Sequence, residues 1–251
     1  MKTHFNVVVP LYNADEWVLR NLKTLKAQNY DNFSVVYVND ASSDNSKQII
    51  EDQIKDLENF HLINKEKNGG ALNSLYTGIE FFDPAEEDVT VVLDGDDWFA
   101  RPDVLQILNK TYSENDCLMT YGSYIEYPSG IKGKFSKQVP ENITKDKLYR
   151  QSEWMTSHVR TFKHKLWKNI VKEDILDANG DIYRMAGDLP VMFPMLEMAE
   201  ERAYFIEEIL HVYNRANPLN EDKVNHSQQL AIEAEVRKKQ VYPRLEEVES
   251  K

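Results

Sequence analysis

Val91-Val92-Leu93-Asp94-Gly95-Asp96-Asp97-Trp98 joins a short apolar run rich in β-branched residues to three carboxylates within four positions. The apolar part has the length and composition of a buried strand, and the acids mark its end. Carboxylates crowded at one strand end repel one another, and partial burial penalises each charge, so they need a cation or hydrogen-bond donors among them. A hard divalent ion with oxygen ligands meets that need. The plainer alternative is a solvated turn leading into the helix that begins near Pro102.

Upstream, the same alternation recurs. Asn6-Val7-Val8-Val9-Pro10 is a continuous β-branched run of the kind covered on both faces, and Pro10 ends it. A helix follows, with Asn13 or Asp15 as its cap and Val18, Leu22 and Leu25 as its buried stripe. Phe33 to Val38 reads as the second strand, stopping at Asn39-Asp40-Ala41-Ser42-Ser43-Asp44 before a helix that carries Ile49, Ile50, Ile54 and Leu57. His61 to Ile63 is a short third strand, Asn68-Gly69-Gly70 a turn, Ala71 to Phe82 a helix, and Val89 to Leu93 the fourth strand. Strands alternating with helices at this spacing specify an α/β fold, a mostly parallel sheet with helices on both faces. Ligands bind such sheets beyond the carboxyl ends of the strands. Four polar loops therefore converge on one crevice: Tyr12-Asn13, Asn39-Asp40, Asn68-Gly69-Gly70 and Asp94-Gly95-Asp96.

The second half is less regular. A helix over Asp103 to Tyr112 and a strand over Leu118 to Ser123 precede Tyr127 to Thr144, which has little periodicity and reads as a mobile loop, a possible lid. Trp154 to Phe162 reads as a strand with Trp154, His158 and Arg160 on one face. Asp188 stands just before a helical run, with Pro190 in its first turn. Tyr204 to Ile206 and Ile209 to Tyr213 read as short strands. From about Glu221 the chain is polar and helical in character, with Leu230, Ala234 and Arg237 as a weak packing stripe. The organisation expected is a single domain over 1–220, with a nucleotide-binding half (1–105) and an acceptor half (106–220), plus a helical extension over 221–251.

The 251 residues can bury a substantial core, and 30 Lys plus Arg against 42 Asp plus Glu give a net charge of −12. That balance argues against a nucleic-acid partner held by a basic surface. An anionic ligand would have to be met locally, by metal or backbone amides. The single Cys117 excludes an internal disulfide framework and suits a reducing compartment. There is no signal-peptide pattern and no apolar stretch approaching the roughly 18 residues of a membrane span, so a cytoplasmic protein without a transmembrane segment is expected.

The motifs Val9-Pro10-Leu11-Tyr12-Asn13, Val38-Asn39-Asp40-Ala41-Ser42-Ser43-Asp44, Asn68-Gly69-Gly70 and Leu93-Asp94-Gly95-Asp96-Asp97 resemble, in order and spacing, those of the family 2 nucleotide-sugar glycosyltransferases of the GT-A (Rossmann-like) fold. The resemblance is strong over residues 5 to about 105 and weaker through Asp188 to about Asn217. It implies an inverting, metal-dependent transferase that moves a sugar from a nucleotide-sugar donor, with UDP the expected nucleotide, to a hydroxyl of a glycan or glycoconjugate.

Residue by residue, the resemblance makes Asp40 the acid that hydrogen-bonds the base. Pro10, Tyr12 and Asn13 become the wall of the base and ribose pocket, and Asn68 and Gly70 the turn that closes over the nucleotide. Asp94-Gly95-Asp96 matches the DxD element, with Asp96 on Mn²⁺ or Mg²⁺ and Asp94 at the ribose or a metal-bound water. Asp188 matches the catalytic base, although the common Glu-Asp pair is Gly187-Asp188 here. Where the family often continues its Gly-rich turn with Ala-Arg-Asn, this chain has Ser74-Leu75-Tyr76. Arg215 is the choice for the diphosphate. His211 is a possible further metal ligand or, equally, a structural histidine. Trp154, His158 and Arg160 are candidates for contact with sugar or acceptor. The competing readings are a sugar nucleotidyltransferase, which would want a Gly-rich, Arg-containing loop after the first strand, and a noncatalytic nucleotide- or glycan-binding module. The oligomeric state is left open.

Overall fold

The first strand, β1 (Phe5–Leu11), divides its side chains between two apolar layers in the computed structural model, which describes residues 2–224 and 226–248. Val7, Val9 and Leu11 enter one layer with α1 (Val18–Lys26), α2 (Ser46–Ile54) and residues of the later helix α4 (Val104–Glu114). Val8 enters the other with α3 (Ala71–Phe82). Both faces are covered, which is why the strand is a continuous apolar run. Each fully buried Val or Leu contributes about 1.5–3 kcal/mol.

β2 (Phe33–Asn39), β3 (Phe60–Asn64) and β4 (Val89–Val92) complete a parallel set, with β2 and β4 flanking β1. The remaining strands are β5 (Trp98–Phe99), β6 (Met119–Tyr127), β7 (Arg160–Lys163) and β8 (Ala203–Asn214). The eight-stranded sheet runs β3-β2-β1-β4-β7-β6-β8-β5. It is mixed: β7 is antiparallel to β4 and β6, β5 is antiparallel to β8, and β6 and β8 are parallel. Between these strands lie α5 (Glu141–Lys145), α6 (His164–Lys168) and α7 (Leu189–Ala199), and after them α8 (Glu221–Val224), α9 (His226–Val236) and α10 (Leu245–Val248).

Several local expectations are corrected. Neither Asn13 nor Asp15 caps α1, because both are drawn to the facing loop: Asn13 Oδ1 accepts from the Ser43 N–H at 2.8 Å and Asp15 accepts from the Asn45 N–H at 3.3 Å. Leu57 lies beyond the end of α2. The strand expected over Trp154–Phe162 is confined to β7, because its partner β4 offers only Val89–Val92 for pairing. The two short strands after Tyr204 are one, β8, with a register shift opposite Gly122 and Ser123.

The stretch Tyr127–Thr144 is not a free loop. β6 runs to Tyr127, and the following residues fold back on it through Gly133 N–H to Tyr124 O (2.9 Å), Glu126 N–H to Ile131 O (2.8 Å) and Val139 N–H to the Tyr121 hydroxyl (3.0 Å). The C-terminal helices dock on α7 through Val236, Tyr242 and Leu245, and Arg237 lies over the Phe193 ring, whereas Leu230 is exposed. The packing face is therefore not the Leu230–Ala234 stripe. It is set by a buried ion pair, Arg150 with Glu197 on α7 (2.6 and 2.9 Å), to which the tail adds the Tyr242 N–H (3.0 Å) and the Val236 carbonyl (2.8 Å). No helix among the described residues is long and apolar enough to cross a membrane.

Candidate active site

A cleft of about 710 Å³ opens at the carboxyl ends of β1, β2 and β4, where the alternating pattern placed it. Its lining includes Pro10, Tyr12, Asp40, Asn68, Gly70, Asp94, Asp96, His158, Arg160 and Asp188, residues drawn from both halves of the chain.

On the rim made by the first strands, Asp40 is buried and its carboxylate is committed. It accepts from the Gly69 N–H (2.9 Å) and Gly70 N–H (2.7 Å) and pairs with Lys65 Nζ (2.5 Å). Asn68 Nδ2 donates to the Asp40 carbonyl at 3.2 Å, closing the turn onto the end of β2. Gly70 has φ +88°, and a Cβ there would meet the Arg184 carbonyl oxygen at 2.5 Å, so only glycine fits this junction. Tyr12 is exposed at the mouth. Asn13, with φ 45°, is not on the lining; its N–H donates to Ser42 Oγ (3.0 Å) and its side chain joins the first two loops.

The acidic stretch is the centre of the site. Gly95 N–H donates to the Pro10 carbonyl (2.9 Å), and Asn21 on α1 donates to the Asp94 (3.0 Å) and Asp97 (2.8 Å) carbonyls. The Tyr37 hydroxyl donates to Asn21 Oδ1 at 2.7 Å, so the turn is held from beneath by two buried side chains. The three acids then diverge. Asp97 is buried, accepting from the Asn214 N–H (2.7 Å) and the His211 Nε2–H (2.8 Å). Asp96 accepts from Asn217 Nδ2 at 2.7 Å. Asp94 lies 3.7 Å from the Arg160 guanidinium.

Burial raises the pKa of all three carboxyls, opposed at Asp94 by Arg160 and aggravated at Asp96 by Asp97, and Asp96 is pushed up to about 7. A divalent cation beside Asp94 and Asp96 would relieve this penalty, and two carboxylate oxygens facing a polar cleft are the hard donor set such an ion takes. The residues fit the ion.

Behind the acids, the His158 and His211 rings stack at 4.3 Å with 12° between their planes. Asp97, His158 and His211 each bring a possible ligand atom within 4.8 Å of the others. Burial lowers the pKa of both histidines, His211 to about 3, so the rings are neutral at neutral pH. Parallel stacked rings do not aim in-plane lone pairs at one point, and the Nε2 of His211 is engaged by Asp97. As it stands, His211 supports Asp97 by a hydrogen bond, and His158 is stacked on the His211 ring.

Across from the acids, Asp188 precedes α7 and accepts from Arg160 Nη1 at 2.7 Å. Arg160, buried at the start of β7, thus stands between Asp188 and Asp94. His158 is on the lining just before it. Trp154 is not; it packs edge-to-face on Phe193 at 5.5 Å. Arg215 is also off the lining, half-buried, with its guanidinium 5.8 Å from the Tyr213 ring. Sequence reasoning did not single out Asn21, Asn217 or Arg184, nor the approach of Leu219, Val224, Gln228 and Gln229 to the cleft. A polar residue inside the helical stripe of α1 was the one available signal for Asn21.

Residues 6–173 match the family described as Glycosyl transferase family 2. EpsJ of Bacillus subtilis, described as an uncharacterized glycosyltransferase, is 23% identical over 217 residues, which is 85% of this chain and 61% of that protein. The chain spans about half the length of the curated relatives it matches. Among solved structures, S. aureus TarS in complex with UDP-GlcNAc superposes with a TM-score of 0.62 at 18% identity, covering 92% of this chain and 66% of that one. The mannosyltransferase PcManGT from Pyrobaculum calidifontis, in complex with GDP-Man and Mn²⁺, gives a TM-score of 0.62 at 15% identity, covering 99% and 68%. These two likenesses concern the fold, and they bear out the GT-A class expected for the sheet.

Proposed function

The chain belongs to glycosyl transferase family 2, and from that premise we propose that its cleft transfers a sugar, with inversion, from a nucleotide-sugar donor to a hydroxyl of a glycan or glycoconjugate. The observation that carries this reading is the opposition of two carboxylate sets across one cleft. Asp94 and Asp96 lie at the end of β4 and Asp188 before α7, with Arg160 between them.

In this mechanism Asp96 and Asp94 would hold Mn²⁺ or Mg²⁺. When bound, the ion supplies Lewis-acid stabilisation of the charge that builds on the departing diphosphate. Asp97 holds no ligand; it fixes the end of β8 through Asn214 and His211. Pro10 and Tyr12 wall the nucleoside, and Asp40 fixes the Asn68–Gly70 turn that covers it. With its carboxylate committed to that turn and to Lys65, Asp40 shapes the base site more than it reads the base.

Asp188 takes the proton from the acceptor hydroxyl, whose oxygen then attacks the anomeric carbon on the face opposite the leaving diphosphate. Arg160 keeps the Asp188 carboxylate aimed at that position. No covalent enzyme intermediate is needed. UDP is the first donor nucleotide to try, because a fold neighbour was solved with UDP-GlcNAc, and GDP the second. A cytoplasmic location agrees with the acidic surface and the single buried thiol. We keep 1–220 as the catalytic domain, with Val224, Gln228 and Gln229 of the extension over 221–251 closing one side of its cleft.

The test is a panel of nucleotide-sugar donors assayed for nucleoside diphosphate release with Mn²⁺, with Mg²⁺ or with chelator, since slow donor hydrolysis needs no acceptor. Release from one donor, lost with chelator and in Asp96→Asn, is the expected result. Absence of release and of binding for every donor would overturn the reading.

A further inference from the structure

A donor diphosphate entering this cleft meets Asp40, Asp94, Asp96 and Asp188 on the lining, in a chain of net charge −12. The attraction must come from specific cations. Two lining residues among those described are cationic, Arg160 and Arg184. Arg160 is committed: it is buried, 2.7 Å from Asp188 and 3.7 Å from Asp94. Its guanidinium balances carboxylates already present and has little left for a substrate anion.

Arg184 differs on each count. It is exposed, and its Nη2 donates to two neutral acceptors, the Asn68 carbonyl and Asn68 Oδ1, each at 3.0 Å. Its charge faces no carboxylate within ion-pair distance among the described residues. The Nη1 and Nε N–H groups are not used by Asn68, so the arm is anchored through Nη2 and keeps further donors on the guanidinium. The anchor is firm, because the Arg184 carbonyl oxygen fills the space where a Cβ of Gly70 would lie and Asn68 is itself bonded to Asp40. A guanidinium held in this way is pre-organised to give charge-assisted hydrogen bonds to phosphate oxygens.

We propose that Arg184, reaching the Asn68–Gly70 turn from the loop before Asp188, is the side chain that binds the donor's phosphates. This rests on the nucleotide-sugar reading of the cleft. It assigns the phosphate contact to a residue outside the strand-end loops, and it moves that contact away from Arg215, which is off the lining. It also ties donor occupancy to the segment that carries the base: phosphate on Arg184 steadies residues 184–188, and with them Asp188.

The experiment titrates UDP, GDP, inorganic pyrophosphate and the matching nucleosides into the wild-type chain, Arg184→Gln and Arg184→Lys, with Mn²⁺ present. Thermal melting checks that each variant is folded. Gln keeps an N–H for Asn68 but carries no charge. Arg184→Gln is expected to weaken nucleoside diphosphate and pyrophosphate binding about 10–100-fold, in line with loss of a charge-assisted pair. Nucleoside binding should be unchanged, and Arg184→Lys should recover part of the loss. Diphosphate binding by Arg184→Gln equal to wild type overturns the proposal. So does an equal loss for nucleoside and diphosphate, which would make Arg184 a prop of the turn. Failure of the wild-type chain to bind any of the diphosphates removes the donor reading itself, a result distinct from either of these.

Discussion

On the rim built by the first three strand ends, polar side chains are satisfied by neighbouring loops and largely by backbone. Asp40 grips the Gly69 and Gly70 amides, and Asn13 and Ser42 knit two neighbouring loops. Across the cleft the pairing is between distant side chains. Asp97 meets His211 and Asp96 meets Asn217, over separations of 114 and 121 residues against 29 for Asp40 and Gly69. In the proposed reaction the nucleoside meets a preformed shape made by turns between βα units, and the reacting groups meet charges that distant parts of the chain set against one another. The acidic stretch Asp94–Asp97 belongs to both sides, since its turn is held by Asn21 from α1 and its carboxylates are dressed by β8 and the residues after it.

The comparison breaks most readily at Asp188. Asp188→Asn keeps the side chain's size and removes the base, so turnover should fall about 10²–10⁴-fold, while nucleoside diphosphate binding by titration stays within a few-fold of the parent. A small loss in turnover, or a parallel loss in binding, would mean that the two sides do not divide the work in this way.

The next largest effect is on stability. Arg150 and Glu197 are almost wholly buried, and removing one partner strands the other charge, at a cost of about 3–5 kcal/mol. Arg150→Ala should show this in urea unfolding, whereas Lys65→Ala, whose partner Asp40 keeps two amide donors, should cost clearly less. Equal costs would erase the contrast between long-range charge pairing and local backbone satisfaction.

Asn217→Ala removes the amide that orients Asp96, and Mn²⁺ affinity measured by calorimetry should weaken about 10–100-fold, the usual consequence of losing an outer-sphere partner. Asn217→Asp should not restore it, since a second carboxylate would oppose Asp96 instead of donating to it. The smallest effect concerns Cys117 in the apolar layer beneath β1 and α4. Burial pushes the Cys117 thiol up to about 12, so at pH 8 it is protonated and shielded. A disulfide reagent should react with it only as fast as the chain unfolds; rapid labelling of the native protein would show that layer to be loose.

Much of the first side is legible in the sequence because its signals are local. The β-branched runs Val7–Val9 and Val35–Val38, the turn formers that follow them and Gly70 each report a neighbourhood of a few residues. Asp94, Asp96 and Asp188 could be picked out for the same reason: each stands beside a strand end or a helix start. What was not legible depends on pairing. Nothing near Trp154 reveals that β4 ends at Val92 and leaves it no strand partner, so that it turns to Phe193. Nothing near Arg215 shows that the cleft passes it by, and the Lys-containing loop after Tyr127 looks mobile until β6 supplies partners for its backbone. Asn217 and Arg184 gain their place in the cleft only from the return of β8 and from contact with the Asn68 turn.

In the proposed reaction an acceptor oxygen, activated at Asp188, attacks the sugar from the side opposite the diphosphate. Proton NMR of the sugar first released from an α-linked donor, recorded before the free sugar mutarotates, tests it most directly. The β anomer is expected as the initial product. The α anomer would contradict it.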